Sequence, residues 1–313
     1  MPKPHVLQLC SYPSADQAAL DAAYQMHSTA ELPQIGPQIT AIATAGGQGA
    51  SADIITACPN LELIAIYGVG YDAIPLDLCR ARGIAVTNTP DVLTDDCADL
   101  AIGMTLALCR NIAQADSHVR SGAWSQTAFP LQRRLTGARV GILGLGRIGQ
   151  AIAKRLTAFD ADIAYTARSA KACPYRFVAA PTDLAAQSDI LIVASAATAE
   201  TRHIVNAETL RALGPNGLLI NISRAANIDE DALLTALETH QIAGAALDVF
   251  EGEPALNPRF LSLTNVLLQP HHASATHQTR AAMGDLMRAN LAAYFAGQPL
   301  LTPVLPRAPL TPN

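Results

Sequence analysis

Three polar residues in the last third of this chain are of types that move protons and grip anions: Arg224, Glu253 and His271. An imidazole gives or takes a proton near neutral pH, so a histidine suits acid–base work at a carbonyl or hydroxyl oxygen. A carboxylate beside it favours the imidazolium and orients the ring. A guanidinium can hold a carboxylate through two parallel hydrogen bonds and polarise an adjacent carbonyl. Each of the three follows a short apolar run, at 218–222, 245–250 and 266–269 respectively. On chemistry alone Glu251 could stand in for Glu253, and His272 or His277 for His271.

Those groups need a scaffold and a redox partner, and residues 139–156, RVGILGLGRIGQAIAKRL, supply the pattern for both. Residues 140–143 are an apolar run of the kind a strand buried on both faces shows. Gly144-Leu145-Gly146-Arg147-Ile148-Gly149 follows at once, and Ile148, Ile152 and Leu156 then recur at helical spacing. Strand, glycine turn and helix in that order form an anion cradle. Gly144 permits the tight turn, Gly146 lets the backbone approach a pyrophosphate, and Gly149 lets helix and strand pack closely. The helix start adds unpaired N–H groups and the positive end of its dipole. The motif in this context reads as dinucleotide binding.

Composition narrows the class. The chain has 313 residues, enough for about two domains, and half of them are hydrophobic with few aromatics. A net charge of −5, with no basic run beyond Arg133-Arg134, argues against a nucleic-acid or anionic-membrane partner. Six scattered cysteines without a CxxC pair argue against a disulfide framework or a zinc site and for a reducing, cytoplasmic setting. No signal peptide is visible, and no apolar run approaches the roughly 18 residues of a transmembrane helix.

Along the chain, strands are predicted at 5–9, 39–44, 63–67 and 84–86, with a helix at 15–26. That alternation makes a small α/β unit of parallel strands. The loop after 63–67, Tyr67-Gly68-Val69-Gly70-Tyr71-Asp72, can expose successive backbone N–H groups as a carboxylate nest, or be a plain turn. Residues 95–110 form a strong helix, read as a connection between two domains. Residues 121–136 are irregular and hold Trp124, which could meet a partner subunit or pack locally. From Arg139 on, strands at 140–143, 162–165, 189–194, 218–222, 244–249 and 266–268 alternate with helices, including 208–213 and 229–239 with Asp229 as N-cap. This is a doubly wound sheet. A last helix at 274–295 is long enough to return to the first domain, and the proline-rich tail, 299–312, is expected on its surface.

An NAD-preferring fold places an acid about 20 residues past the glycines, on the ribose 2′-hydroxyl. Here the second strand ends Thr166-Ala167-Arg168-Ser169. Arg168 and Ser169 suit a 2′-phosphate, so NADP(H) is expected over NAD(H).

With these residues in place, the chain resembles the D-isomer-specific 2-hydroxyacid dehydrogenases over essentially its full length. The motifs are YGVGYDAI at 67–74, ARGIAVTNTPDVLTDD at 81–96, GILGLGRIGQAIAKRL at 141–156, INISRA at 220–225, GAALDVFEGEP at 244–254 and QPHHASAT at 269–276. The resemblance implies two doubly wound parallel-sheet domains: a Rossmann cofactor domain (97–284) inserted into a smaller flavodoxin-like substrate domain (1–96 and 285–313). It implies that Arg224 grips the substrate, that Glu253, standing before Pro254, is the acid paired with the histidine, and that His271 is the proton donor or acceptor. It further makes Val69 and Gly70 backbone donors to the substrate carboxylate. Asp248 goes to the nicotinamide carboxamide, and Ile222 to the nicotinamide pocket. The TARS ending at 166–169 is similar to the NADPH-preferring glyoxylate/hydroxypyruvate and hydroxyphenylpyruvate reductase branch.

Three departures stand out: Ala225 where the family usually has glycine, Asn227 at a usually apolar position, and His272 in place of an isoleucine. The expected activity is reduction of a small 2-oxo acid to a D-2-hydroxy acid, glyoxylate or hydroxypyruvate first and a bulkier aryl or sugar-derived acid second. The cleft is expected between the domains, and a homodimer through the cofactor domains. A formate-oxidising relative would be expected to carry Gln at position 253. A cofactor-sensing interaction protein on the same fold is the rival from another class.

Overall fold

The computed structural model describes residues 2–306 and divides into two compact units. One runs up to Leu93 and resumes at Ser274; the other is Thr94–Ala273. The sequence reading set the borders at 96/97 and 284/285. The difference follows from the helices Thr94–Arg110 and His277–Phe295, each of which stays whole within one unit.

In the first unit, β1 (His5–Gln8), β2 (Gln25–His27), β3 (Ala41–Ala45), β4 (Leu63–Tyr67) and β5 (Ala85–Thr87) form a parallel sheet in the order 2-1-3-4-5. This is the flavodoxin-like winding. β4 is buried at all five positions, which is why it reads as a continuous apolar run. Two expectations need correction. The first helix ends at Ala23 rather than 26, because Gln25 donates its N–H to Pro4 O (2.9 Å) and the chain leaves as the edge strand β2. The tail expected on the surface contributes Pro303–Leu305, an antiparallel strand beside β5. The part of that tail beyond Pro306 lies outside the described residues.

The helix Ser14–Ala23 is pinned to His277–Phe295 by an ion pair between Asp16 and Arg288, with Asp16 almost fully buried. Gly284 makes room for it, since a Cβ there would fall on the Asp16 carboxylate. Gly284→Ala should therefore destabilise the protein by about 1–3 kcal/mol, the usual cost of overpacking. A urea titration followed by circular dichroism measures it, and an unchanged midpoint contradicts this packing.

In the second unit, β6 (Arg139–Leu143), β7 (Asp162–Thr166), β8 (Arg176–Phe177), β9 (Ile190–Val193), β10 (Leu218–Asn221), β11 (Gly244–Leu247) and β12 (Val266–Leu268) are parallel throughout. Their order is β8-β7-β6-β9-β10-β11-β12, the Rossmann winding with one further strand. Alternate residues feed two cores. Ile142, Ile190, Ile192, Leu218 and Ile220 pack with Ala98, Ala101, Met104 and Ile152 on one face. Leu143, Leu191, Val193 and Leu219 pack with Leu210, Leu234 and Leu237 on the other. The helix Thr94–Arg110, expected as a connector, is thus a layer of this unit. The strand order reverses between β6 and β9, the point where such sheets bind ligands beyond their carboxyl ends.

Two elements here were not anticipated, the helix Ile112–Arg120 and the two-residue strand β8. Trp124 does not pack into a core. It is 67 % exposed, and Ile112, Val119 and Leu131 on the same stretch are also exposed. Among the described residues no helix is long and apolar enough to cross a membrane.

Candidate active site

The glycine turn between β6 and the helix Arg147–Leu156 separates its three glycines by function. Gly144 has φ +97°, and a Cβ on it would lie 2.6 Å from Ser195 Cα. Gly149 meets the strand so closely that a Cβ would fall on the Gly144 carbonyl oxygen. Gly146, the residue that caps the helix, has nothing within 4 Å of the Cβ position. The first two glycines are demanded by the protein itself. The third leaves open space over the helix N-terminus, where backbone N–H groups and the helix dipole favour phosphate. Leu145 turns its side chain into the core and Ile148 packs against it, so only their backbone faces that space, while Arg147 is exposed. These features fit a dinucleotide.

The chemistry-bearing residues come from the carboxyl ends of three adjacent strands. β10, β11 and β12 share a register, Asn221 opposite Leu247 and Leu247 opposite Leu268. The ladder runs on through Asp248 N to Asn221 O (2.9 Å) and Gln269 N to Leu247 O (2.8 Å). Arg224, Asp248 and His271 therefore leave the same edge of the sheet.

His271 Nδ1 and Glu253 Oε2 are 2.6 Å apart, with the side chains 41 % and 31 % exposed. Glu253 is itself oriented, because its Oε1 accepts the Phe250 N–H at 2.8 Å. Glu251 does not reach the imidazole; its N–H donates to Glu230 Oε2 (2.9 Å). His277 belongs to the other unit, at the start of the helix His277–Phe295. With Nδ1 engaged by Glu253, Nε2 is the ring atom left to exchange a proton.

Asp248 does something the sequence reading missed. It is 1 % exposed, and its two oxygens accept the N–H groups of His272 (2.9 Å) and Ala273 (3.0 Å). Those are the two peptides after His271, whose φ of +50° is one that few non-glycine residues adopt. Burial pushes the Asp248 carboxyl above its usual range, while the two peptide N–H groups and the nearby imidazoles pull the other way.

Arg224 is half-buried at the end of a turn locked by Asn221. That side chain accepts from Ser223 N (2.9 Å) and Ser223 Oγ (2.8 Å) and donates to Arg224 O (3.1 Å). Arg224 Nη1 donates to Ser223 O at 2.8 Å. Asn227 accounts for one departure from the family pattern. Fully buried, it donates to Ser195 O (2.8 Å) and Ser223 Oγ (3.0 Å), tying the turn to the segment after β9. Ala225 is accommodated because no residue from 223 to 228 takes a positive φ. Ile222 is buried in the sheet core.

Arg168 and Ser169 are exposed just beyond β7. The Glu200 carboxyl lies below its usual range, chiefly through the Thr198 hydroxyl and partly through the Arg168 charge. Val69 and Gly70 are in the first unit, after β4. That loop is packed by a second glycine turn after β3, where a Cβ on Gly46 would lie 2.9 Å from Gly70 O. The Gly46-Gly47-Gln48-Gly49 cluster is visible in the sequence and marks this approach. Among the described residues no group of three or more His, Cys, Asp or Glu side chains could hold a metal ion.

A Rossmann sheet with a phosphate cradle and an acid-backed imidazole on one edge defines a pyridine-nucleotide oxidoreductase. Residues 102–273 match the model for the D-isomer specific 2-hydroxyacid dehydrogenase NAD-binding domain, and the chain belongs to that family. It is 49 % identical over 268 residues to hydroxyphenylpyruvate reductase of Plectranthus scutellarioides, covering 85 % of this chain and 86 % of that one. It is 44 % identical over 309 residues to 2-ketogluconate reductase of Gluconobacter oxydans strain 621H, covering 97 % and 99 %. Its fold matches the NADPH-dependent glyoxylate/hydroxypyruvate reductase of Sinorhizobium meliloti in complex with NADP and malonate, with a TM-score of 0.93, 41 % identity and coverage of 99 % and 100 %. The chain is a dehydrogenase acting on the CH–OH group of donors, and it binds a pyridine nucleotide.

The glycines make a separable prediction. Gly146→Ala should leave the thermal midpoint within about 2 °C and weaken NADPH binding about tenfold or more, since its Cβ meets no atom of the described residues within 4 Å and stands over the helix N-terminus. Gly149→Ala should instead cost about 1–3 kcal/mol of stability. Calorimetry and fluorescence titration of NADPH distinguish them, and tight binding by Gly146→Ala contradicts the cradle.

Proposed function

We propose that this protein is an NADPH-dependent reductase of small 2-oxo acids, forming D-2-hydroxy acids, with glyoxylate and hydroxypyruvate as first substrates. The observation that carries the reading is the 2.6 Å pairing of His271 with Glu253 on the sheet edge that also carries Arg224 and the glycine cradle. When bound, the reduced nicotinamide supplies the hydride. Arg224 grips the substrate carboxylate and polarises the neighbouring carbonyl. His271 Nε2 delivers the proton to the oxygen as the carbonyl is reduced, and Glu253 stabilises the imidazolium before transfer and orients the ring. Val69 and Gly70 add backbone N–H groups to the carboxylate site. Asp248 holds the His271 loop and, with Ile222, serves the nicotinamide end; the Gly144–Gly149 turn serves the pyrophosphate. Arg168 and Ser169 take the 2′-phosphate.

A sugar-derived 2-oxo acid is the second reading, supported by the near full-length match to the Gluconobacter 2-ketogluconate reductase. Six free cysteines support residence in a reducing cytoplasm. The exposed apolar side chains Ile112, Val119, Trp124 and Leu131 support a homodimer through this unit. Sedimentation as a monomer contradicts the dimer.

NADPH consumption should be measured with glyoxylate, hydroxypyruvate, hydroxyphenylpyruvate and 2-ketogluconate. Turnover with at least one is expected; silence on all, with NADPH still bound, points to a cofactor-sensing protein instead. His271→Ala should lower kcat/KM by about 10²–10⁴, the range for a positioned acid–base group, and Arg224→Ala by about 10²–10³, the range for a lost charge-stabilising donor; near wild-type turnover in either removes the mechanism. Arg168→Asp should reverse the NADPH/NADH ratio of kcat/KM, and an unchanged ratio removes the 2′-phosphate assignment.

A further inference from the structure

The Val69 and Gly70 amides are held in place from outside their own loop. Asn88, one residue past β5 and buried, donates from Nδ2 to the Val69 carbonyl oxygen at 2.8 Å. Beside it, Thr89 takes Gly68 from both sides: its N–H donates to Gly68 O (2.8 Å) and its Oγ1 accepts the Gly68 N–H (3.0 Å). Asn88 is in turn fixed by the returning end of the chain. Thr302 Oγ1 donates to Asn88 O at 2.6 Å. Asn290, fully buried in the helix His277–Phe295, accepts the N–H groups of Leu301 (3.0 Å) and Thr302 (3.2 Å) and donates to Thr302 Oγ1 (2.8 Å).

A trans peptide is planar, and its carbonyl and N–H point in opposite directions. Pinning the Val69 oxygen therefore aims the Gly70 N–H, on the far side of the same peptide, away from Asn88. Between Gly68, whose φ is +142°, and Gly70, that peptide has unusual rotational freedom. A carboxylate nest needs its N–H groups aimed at one point before the anion arrives. Thr89, through Gly68 O, fixes the peptide that carries the Val69 N–H, and Asn88, through Val69 O, fixes the one that carries the Gly70 N–H.

We infer that Asn88 is the positioning residue of the substrate-carboxylate nest, and that the Asn290–Thr302 linkage is its brace. The inference rests on the reading of Val69 and Gly70 given under the proposed function. It gives Asn88 no contact with substrate. What the position requires is a donor of amide length, because the group it must hold is a carbonyl oxygen.

Asn88→Asp, close to isosteric, replaces the donor with an acceptor facing that carbonyl, and Asn88→Ala removes it. Each should raise KM for the 2-oxo acid about tenfold or more while kcat stays within about threefold and the KM for NADPH within about twofold. That split marks weakened ground-state binding rather than lost chemistry. Thr302→Val is the structural control: it cuts the brace to the Asn88 carbonyl but leaves the Asn88 side chain on Val69. It should lower the thermal midpoint and raise KM for the 2-oxo acid by a smaller factor than either Asn88 variant, because the brace reaches the nest only through the Asn88 backbone. Should either Asn88 variant fail to fold, Asn88→Ser, with a shorter donor, should give a smaller rise in KM. An oxo-acid KM unchanged in the folded Asn88 variants, or raised equally in Thr302→Val, overturns the inference. It leaves the proposed function standing, because wild-type turnover and the loss in Arg224→Ala report on that separately. A wild-type protein that reduces no 2-oxo acid removes both.

Discussion

The site depends on one buried carboxylate, Asp248, spanning two peptides. Its oxygens accept the N–H groups of His272 and Ala273, and so join the end of β11 to the loop leaving β12. Net contributions of about 1.5–3 kcal/mol are usual for each hydrogen bond to a charged group, enough to offset an unfavourable backbone such as His271 at φ +50°. With the peptide after it held on one side, the imidazole is held on the other through Nδ1 by Glu253. Neither anchor suffices alone. Asp248 sets where the residue sits, and Glu253 sets how the ring is turned and which nitrogen remains to exchange a proton.

Such an arrangement needs strands that end level, and the uninterrupted parallel register of β10, β11 and β12 provides it. The glycine turn extends the same logic along the sheet. Two of its glycines satisfy internal contacts, while Gly146 leaves open space over the helix N-terminus. The polar groups of this edge are tied into hydrogen bonds that stiffen the protein before substrate arrives. Asn221 orders the turn to Arg224, and Asn227 ties that turn to Ser195. Binding energy is then not drawn into ordering the catalytic groups.

How much could be read from the sequence followed from how local each signal is. Buried parallel strands announce themselves as apolar runs, so β3, β4, β6, β7 and β9 to β12 were legible, as was the glycine turn. Asp229 was recognisable as an N-cap, and its carboxylate accepts from Ala232 N at 3.1 Å. Edge strands held by a few pairings were not. Gln25–His27 continues the apolar spacing of the preceding helix, and Pro303–Leu305 looks like a proline-rich tail until β5 is there to pair with it. The choice between Glu251 and Glu253 was open on chemistry, because two acids two residues apart in an irregular loop have no periodicity to sort them. The fold does so by giving the Glu253 carboxylate the Phe250 N–H and the His271 ring, while the Glu251 backbone N–H goes to the Glu230 carboxylate.

What stayed hidden were the residues that position rather than react. Asp248, Asn221 and Asn88 all act on backbone atoms, and a backbone acceptor leaves no trace in the sequence of its partner. Asn227 is the instructive case, a polar residue at a position the family usually makes apolar. A buried amide costs free energy unless its hydrogen bonds are made; here Nδ2 donates to Ser195 and Ser223, while Oδ1 is buried without a partner among the described residues, so the cost is met on the donor side only. An apolar residue could fill the same space, but it could not join the segment after β9 to the turn before Arg224. The polar substitution therefore adds a constraint between the carboxyl ends of β9 and β10, which shape complementarity alone does not supply.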